Sequence, residues 1–190
     1  MAQKLIHIGV GGRGKWPVNL VTQRDDYQTV ALVDIREDHL GNAMDVSGLP
    51  ESACFRTLEQ ALNKVEADAV VVITPPDLHT EHCLQALRAG KHVLVEKPFA
   101  KTLAEAKLLV AEADKHGVTL CVSQNAKYTP ATVTMRRLIK DEVYGTASFG
   151  MQMKLGWRKK GVHHSGEDEH SYLWERGIHD FDTMRFMFAD

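Results

Sequence analysis

Near the N-terminus, Gly9-Val10-Gly11-Gly12-Arg13-Gly14 carries the spacing G-x-G-x-x-G, and Asp34 follows 20 residues after the last glycine. A chain that turns tightly on glycine presents backbone N–H groups at close range and opens a helix toward them, which suits a pyrophosphate. A carboxylate at the end of the next strand accepts hydrogen bonds from the adenosine ribose hydroxyls. Gly9 makes the turn, Gly11 lets the amides approach, and Gly14 lets the helix pack closely; Gly12, Arg13 and Ile35 join them as candidate contacts. An acid at position 34 repels a 2'-phosphate, so NAD is expected over NADP, with Arg36 nearby softening the preference. The competing reading is a Gly-rich turn followed by an unrelated surface Asp.

A second constellation lies near the far end. His179 stands four residues after Glu175, a spacing that puts both side chains on one face of a helix or its first turn. There a carboxylate can hold the tautomer of an imidazole or stabilise its cation, and imidazole titrates in the range needed to move a hydroxyl proton. A His capping a helix beside a surface acid is the bland alternative. Asp182 is read as solvated or paired with a cation such as Arg185 and is left out of catalysis. His163, His164 and His170 fall on a polar stretch at spacings that fit no standard metal site, and no metal is expected.

The elements that must position these groups are legible from periodicity. Short β-branched runs alternate with helical patterns, which predicts a parallel sheet covered on both faces. The strands are read as Lys4 to Val10, Thr29 to Asp34, Cys54 to Phe55, Ala69 to Ile73, His92 to Glu96 and Thr119 to Ser123. Thr102 and Glu105 form a capping box at the start of a helix that Gly117 ends, and a helix after Pro75-Pro76 stops at Gly90. Beyond Gly145 the pattern changes to a longer alternating strand, Thr146 to Leu155, then a polar loop over 156–170. A last helix carries Ile178, Phe181, Met184 and Phe188 on one side.

Composition narrows the function classes. Apolar residues at 44% and charged residues at 25% describe a packed globular chain, and a net charge of -2 without basic runs argues against a nucleic-acid surface. No apolar stretch approaches the roughly 20 residues that span a bilayer. The start shows no secretory signal, and the three cysteines are odd in number and far apart, so a cytoplasmic protein acting on a small molecule is expected.

Several ordered motifs carry a family resemblance: the glycine motif at Gly9, Thr74-Pro75-Pro76-Asp77-Leu78-His79, Glu96-Lys97-Pro98, the segment Asn125 to Pro130, and Glu175 to Asp182. In this register the chain resembles the glucose-fructose oxidoreductase, inositol dehydrogenase and MocA family. The resemblance implies an α/β Rossmann doubly wound parallel sheet over residues 1–124. Over 125–190 it implies a connecting helix and the truncated start of an α+β domain that serves substrate binding and oligomerisation.

It further implies an NAD-dependent oxidoreductase of the sugar and polyol dehydrogenase type, and a homo-oligomer. Thr74, Pro75, His79, Glu96, Lys97 and Asn125 then join the cofactor site, and Lys97, His179 and Glu175 are the catalytic candidates. Lys97 would hydrogen-bond the reacting hydroxyl or the nicotinamide ribose, a cis bond before Pro98 is expected, and His179 would be the general base. Lys127 and Tyr128 would lie near substrate. The family has Asn where Pro76 stands and Asp where Glu175 stands, so contacts made by that amide do not carry over and the side chain beside His179 is one methylene longer. Two alternatives remain open: a non-catalytic nucleotide-binding fragment or regulator, and an NAD-dependent glycosidase of the same superfamily.

Overall fold

The computed structural model describes residues 2–153 and 173–188, the side chains of Trp174 and Glu175 excepted. Two compact units divide the chain, Met1–Ser123 and Gln124–Asp190. The first is built on six parallel strands: β1 (Gln3–Ile8), β2 (Tyr27–Val33), β3 (Cys54–Phe55), β4 (Ala69–Val72), β5 (His92–Glu96) and β6 (Leu120–Ser123). Their order across the sheet is β3-β2-β1-β4-β5-β6, the doubly wound Rossmann order. Helices α1 (Lys15–Val21), α2 (Glu37–Ser47), α3 (Leu58–Lys64), α4 (His79–Arg88) and α5 (Leu103–His116) connect them.

Residue alternation assigns each helix a face. Ile6 and Ile8 of β1, Ala31 and Val33 of β2, and Val70 and Val72 of β4 pack with Leu58 of α3, Leu87 of α4 and Leu109 of α5. On the opposite face Leu32 packs with Val10, Val18 of α1, and Leu40 and Ala43 of α2. Burial of this kind stabilises by about 1.5 to 3 kcal/mol per large side chain. The predicted capping box is present: the Thr102 hydroxyl accepts from the Glu105 amide at 3.1 Å, and the Glu105 carboxylate accepts from the Thr102 amide at 3.1 Å. Gly117 closes α5 in the left-handed region at φ 64°.

Strand ends depart from the sequence reading by one or two residues. β1 stops at Ile8 rather than Val10, because Gly9 takes φ 81° and leaves the extended region. One irregularity inside the sheet has a larger effect. Leu5 pairs with Thr29 but Ile6 pairs with Ala31, so Val30 is an extra residue bulged out of the β1–β2 ladder. Thr29 and Ala31, two apart in sequence, thereby sit on opposite faces.

His7 shares the face of Thr29. The ring is 2% exposed, its Nε2 lies 3.3 Å from the Thr29 hydroxyl, and its Nδ1 makes no hydrogen bond among the described residues. Burial pushes its pKa down from 6.5 to about 4.

The second unit contains a short turn at Ala126–Tyr128, α6 (Pro130–Lys140), a π turn at Leu173–Gly177 and α7 (Ile178–Phe188). Thr129 caps α6 by accepting from the Thr132 amide, and Pro130 occupies its first turn. Residues 146–153 do not form the expected strand; no described strand offers them a ladder, and an isolated strand leaves its backbone groups unpaired. They run along α7 instead, with Gln152 Nε2 donating to Asp180 Oδ1 at 3.1 Å and Gly150 against the Phe188 ring. Lys154, Leu155 and the three loop histidines, His163, His164 and His170, lie outside the described residues. The last helix forms as expected, but its packed side is not that of Phe181, which is 64% exposed. Met187 is the buried residue, and Phe186 meets the Tyr128 ring edge-on at 6.0 Å.

His7 makes the first unit sensitive to acid. Its folded pKa lies below its unfolded value, so the unfolded chain binds the extra proton as pH falls through 6.5 toward 4. Between pH 7 and 4 the loss amounts to about 3 kcal/mol. Urea midpoints at the two pH values should show His7→Leu losing less than the parent by that amount; equal losses would mean His7 is not the responsible group.

Candidate functional site

The candidate positions of the first unit, His79 at the start of α4 excepted, fall at the C-terminal ends of its strands, the rim where open α/β sheets bind ligands. Gly9–Gly14 follows β1, Asp34 and Ile35 follow β2, Thr74 and Pro75 follow β4, Glu96 ends β5 and Lys97 follows it.

Steric contact explains three glycines of the turn, and a left-handed backbone explains the fourth. A Cβ on Gly9 would stand 2.4 Å from the Ile73 carbonyl oxygen, and one on Gly14 would stand 1.7 Å from the Gly9 oxygen. A Cβ on Gly11 would enter the His39 ring, and Gly12 adopts φ 43°. Gly12–Gly14 form a single 3-10 turn leading into α1, and the first N–H groups of a helical turn have no intrahelical acceptor.

Asp34 holds this turn from the side. Its Oδ2 accepts from Val10 N at 3.0 Å and Gly11 N at 3.3 Å, and its Oδ1 accepts from Arg36 N at 3.0 Å. His39 Nδ1 lies 3.1 Å from the same Oδ2. Oδ2 already holds these three donors, whereas Oδ1 holds one and retains capacity for another, so the residue can take a ribose hydroxyl through Oδ1 without releasing the turn. A close-packed glycine turn with a carboxylate beside it fits a dinucleotide. Ile35 is exposed and offers its backbone oxygen to Arg56.

The neighbouring rim turns are cross-linked. Arg13 Nε reaches Glu96 Oε1 at 3.7 Å, with its guanidinium 5.5 Å from the Trp16 ring centroid. His79 is fully buried; its Nε2 meets the Thr74 carbonyl oxygen at 2.9 Å and its Nδ1 meets that of Pro98 at 2.8 Å. The imidazole thus joins the turn after β4 to the turn after β5. Lys97, in the turn after β5, is half-buried, and its bond to Pro98 is cis as expected. The Thr74 hydroxyl lies 3.2 Å from His82 Nδ1, and burial lowers the pKa of that ring.

In the second unit, His179, Asp182 and Phe186 share one face of α7 at the i, i+3, i+7 spacing. Asp182 pairs with Lys127, whose Nζ is 3.2 Å from each carboxylate oxygen, rather than with Arg185. Gln124 Nε2 donates to the Ile178 carbonyl at 3.0 Å. The turn carrying half-buried Lys127 and exposed Asn125 and Tyr128 is therefore fastened to the start of the helix that bears half-buried His179. Glu175 belongs to the π turn before α7, where i→i+5 bonding replaces the α-helical i, i+4 relation. Its side chain lies outside the described part. Among the described residues no group of three or more His, Cys, Asp or Glu converges on a metal position.

The family model of the Gfo/Idh/MocA oxidoreductases, with an NAD-binding Rossmann fold, matches residues 4–124. The chain belongs to this family. Among Gfo/Idh/MocA relatives, it is 33% identical over 142 residues to the 1,5-anhydro-D-fructose reductase of Ensifer adhaerens, covering 70% of this chain and 41% of the relative. It is 27% identical over 173 residues to the NADP(+) scyllo-inositol 2-dehydrogenase of Bacillus subtilis, covering 87% and 46%. The WlbA dehydrogenase from Bordetella pertussis, solved with NADH and UDP-GlcNAcA, superposes with a TM-score of 0.69 at 27% identity, over 76% of this chain and 41% of that one. The chain spans about half the length of the curated relatives it matches.

Sequence reading missed His39 and Trp16, and it counted His79 among the cofactor contacts, whereas the ring is fully buried and its two nitrogens meet backbone carbonyls. His39 had one signal, its place in the first turn of the helix that follows the acid-bearing strand. The His79 brace is open to measurement. Replacing it with Leu removes the ring's contacts to the Thr74 and Pro98 carbonyl oxygens, a loss of about 1 to 3 kcal/mol. The urea midpoint should fall accordingly; an unchanged midpoint would show that the two bonds contribute nothing net.

Proposed function

We propose that this chain carries the dinucleotide-binding domain, over residues 1–124, and the beginning of the substrate domain, over 125–190, of an NAD-dependent oxidoreductase acting on polyhydroxylated small molecules. The observation that supports it most directly is the Asp34 carboxylate bound to the amides of a turn in which Gly9, Gly11 and Gly14 have no room for a side chain. The substrate class follows from relatives that act on anhydrofructose and scyllo-inositol. All of these molecules offer secondary carbinol carbons.

Asp34 binds the ribose hydroxyls, and the amides of Gly12 and Arg13, between two amides already bonded within the protein, face the pyrophosphate. Glu96, Thr74, Pro75 and Asn125 supply further contacts, with His79 bracing the rim beneath them. When bound, the nicotinamide supplies the hydride acceptor or donor. His179 takes the hydroxyl proton as the carbinol is oxidised and returns it in the reverse direction, while Glu175 steadies the imidazole. The Lys97 cation hydrogen-bonds the reacting oxygen and stabilises its alkoxide character. The preference is for NAD, because an anionic Asp34 disfavours a 2'-phosphate.

Self-association belongs to the same reading. Tyr144, Phe149, Met151 and Met153 are 88%, 83%, 76% and 72% exposed, an apolar run that water does not favour. Light scattering should report a species larger than 21.2 kDa; a monodisperse monomer would refute this part.

Calorimetric titration of NADH into the chain tests the cofactor site, with Asp34→Ala as the control. Removing the carboxylate should weaken binding at least tenfold, about 1.4 kcal/mol or more. Absence of binding in the parent, or equal affinity in a folded Asp34→Ala, would overturn the reading. Turnover of any active polyol should drop at least about a hundredfold in His179→Asn and Lys97→Ala. Full activity in both would remove their catalytic roles.

A further inference from the structure

Helix α2 turns an imidazole back onto the glycine turn. His39 is the third residue of that helix, and a Cβ placed on Gly11 would stand 2.1 Å from both its Cε1 and its Nδ1. The ring therefore lines the same narrow space that the Gly11 backbone opens. Its Nδ1 lies 3.1 Å from Asp34 Oδ2, the oxygen already accepting from Val10 and Gly11. A carboxylate offers only lone pairs, so the proton in this contact sits on Nδ1. That fixes the role of the remaining nitrogen. Nε2 is an acceptor when the ring is neutral and a donor when it is cationic, and the side chain is 28% exposed.

We propose that His39 reads the 2' position of the adenosine ribose in a proton-dependent way, accepting a 2'-hydroxyl when neutral and binding a 2'-phosphate when cationic. The inference rests on the dinucleotide reading of this site. With a neutral ring, Nε2 and the Asp34 carboxylate present two acceptors side by side, which suits a hydroxyl and repels a phosphate. Protonation converts one of them into a charged donor, and a charge-assisted hydrogen bond to phosphate is among the stronger polar contacts.

The charged groups around the ring leave this task to it. From β2 there is Asp34, and from its own helix Glu37 and Asp38. Arg36, just before the helix, forms a two-pronged pair with Asp38 at 2.9 Å and 2.8 Å. That hydrogen-bonded contact raises the guanidinium pKa and lowers the Asp38 carboxyl to about 2, so both keep their charge throughout the working range. Arg56, from the loop before α3, is held by Glu37 and the Ile35 carbonyl oxygen. Arg13 from the turn is directed to Glu96, and α1, which packs on α2, contributes Lys15. Imidazole is the side chain among these whose charge ordinarily changes between pH 5 and 8.

The test is binding, not turnover. Dissociation constants for NADH and NADPH are measured on this chain and on His39→Gln at about pH 8 and about pH 6. Glutamine keeps a donor for Asp34 but cannot gain a charge. In the parent the NADPH:NADH ratio of constants should fall between the two pH values by about tenfold more than in His39→Gln. The second ionisation of the 2'-phosphate, near pH 6, is common to both proteins and cancels in that comparison. His39→Lys should hold the ratio low at both pH values, which keeps the test decisive if the glutamine variant fails to fold. Equal pH responses in parent and variant would sink the His39 assignment and leave the dinucleotide site standing. Failure of the parent to bind either dinucleotide would sink both.

Discussion

The carboxylate of Asp34 is the fixed point of the first unit. It accepts from two amides of the turn after β1 through one oxygen and from the amide that leads into α2 through the other. Hydrogen bonds to a charged acceptor contribute about 1.5 to 3 kcal/mol each, more than neutral ones. One side chain thus ends a strand, starts a helix and shapes a turn 24 residues away. The turn must be glycine at its crowded positions because the carboxylate, the Ile73 backbone and the His39 ring draw the elements too close for side chains.

Around that point the strand ends are joined in pairs. Arg13 reaches from the glycine turn to Glu96 at the end of β5, and His79 fastens the turn after β4 to the turn after β5. Each contact connects segments that are remote in sequence and adjacent on the rim. The second unit repeats the device on a smaller scale, where Lys127 and Tyr128 grip Asp182 and Phe186 on the face of α7 that carries His179.

Much of this was readable in advance, for reasons that are local. Alternating apolar runs reported the strands, the Thr102 and Glu105 pair reported the start of α5, and the glycine spacing with Asp34 reported the dinucleotide turn. What escaped was set by long-range placement. Nothing near His79 in sequence announces that its two nitrogens meet carbonyls from different turns, and His39 gains its meaning from the closeness of Gly11. The i, i+4 argument for Glu175 assumed α-helical geometry where the chain forms a π turn. Thr146 to Leu155 alternates like a strand, yet a strand needs a neighbour, and the described part of 146–153 lies against α7 instead.

The bulge at Val30 is a counting device. Side chains in a strand alternate with a period of two, so one additional residue reverses the parity of everything after it. Val33 then stands level with Ile8, and Asp34 emerges on the side of Leu32, where α1, α2 and the glycine turn are gathered. With an unbroken ladder the same sequence would aim that acid at the side of α3 and α4, away from the amides it holds. The recognition chemistry of the rim is thus phased by an unremarkable valine in mid-strand, and an insertion or deletion anywhere between Thr29 and Asp34 would act on the site as a frame change acts on a reading, leaving every residue type intact and every direction wrong.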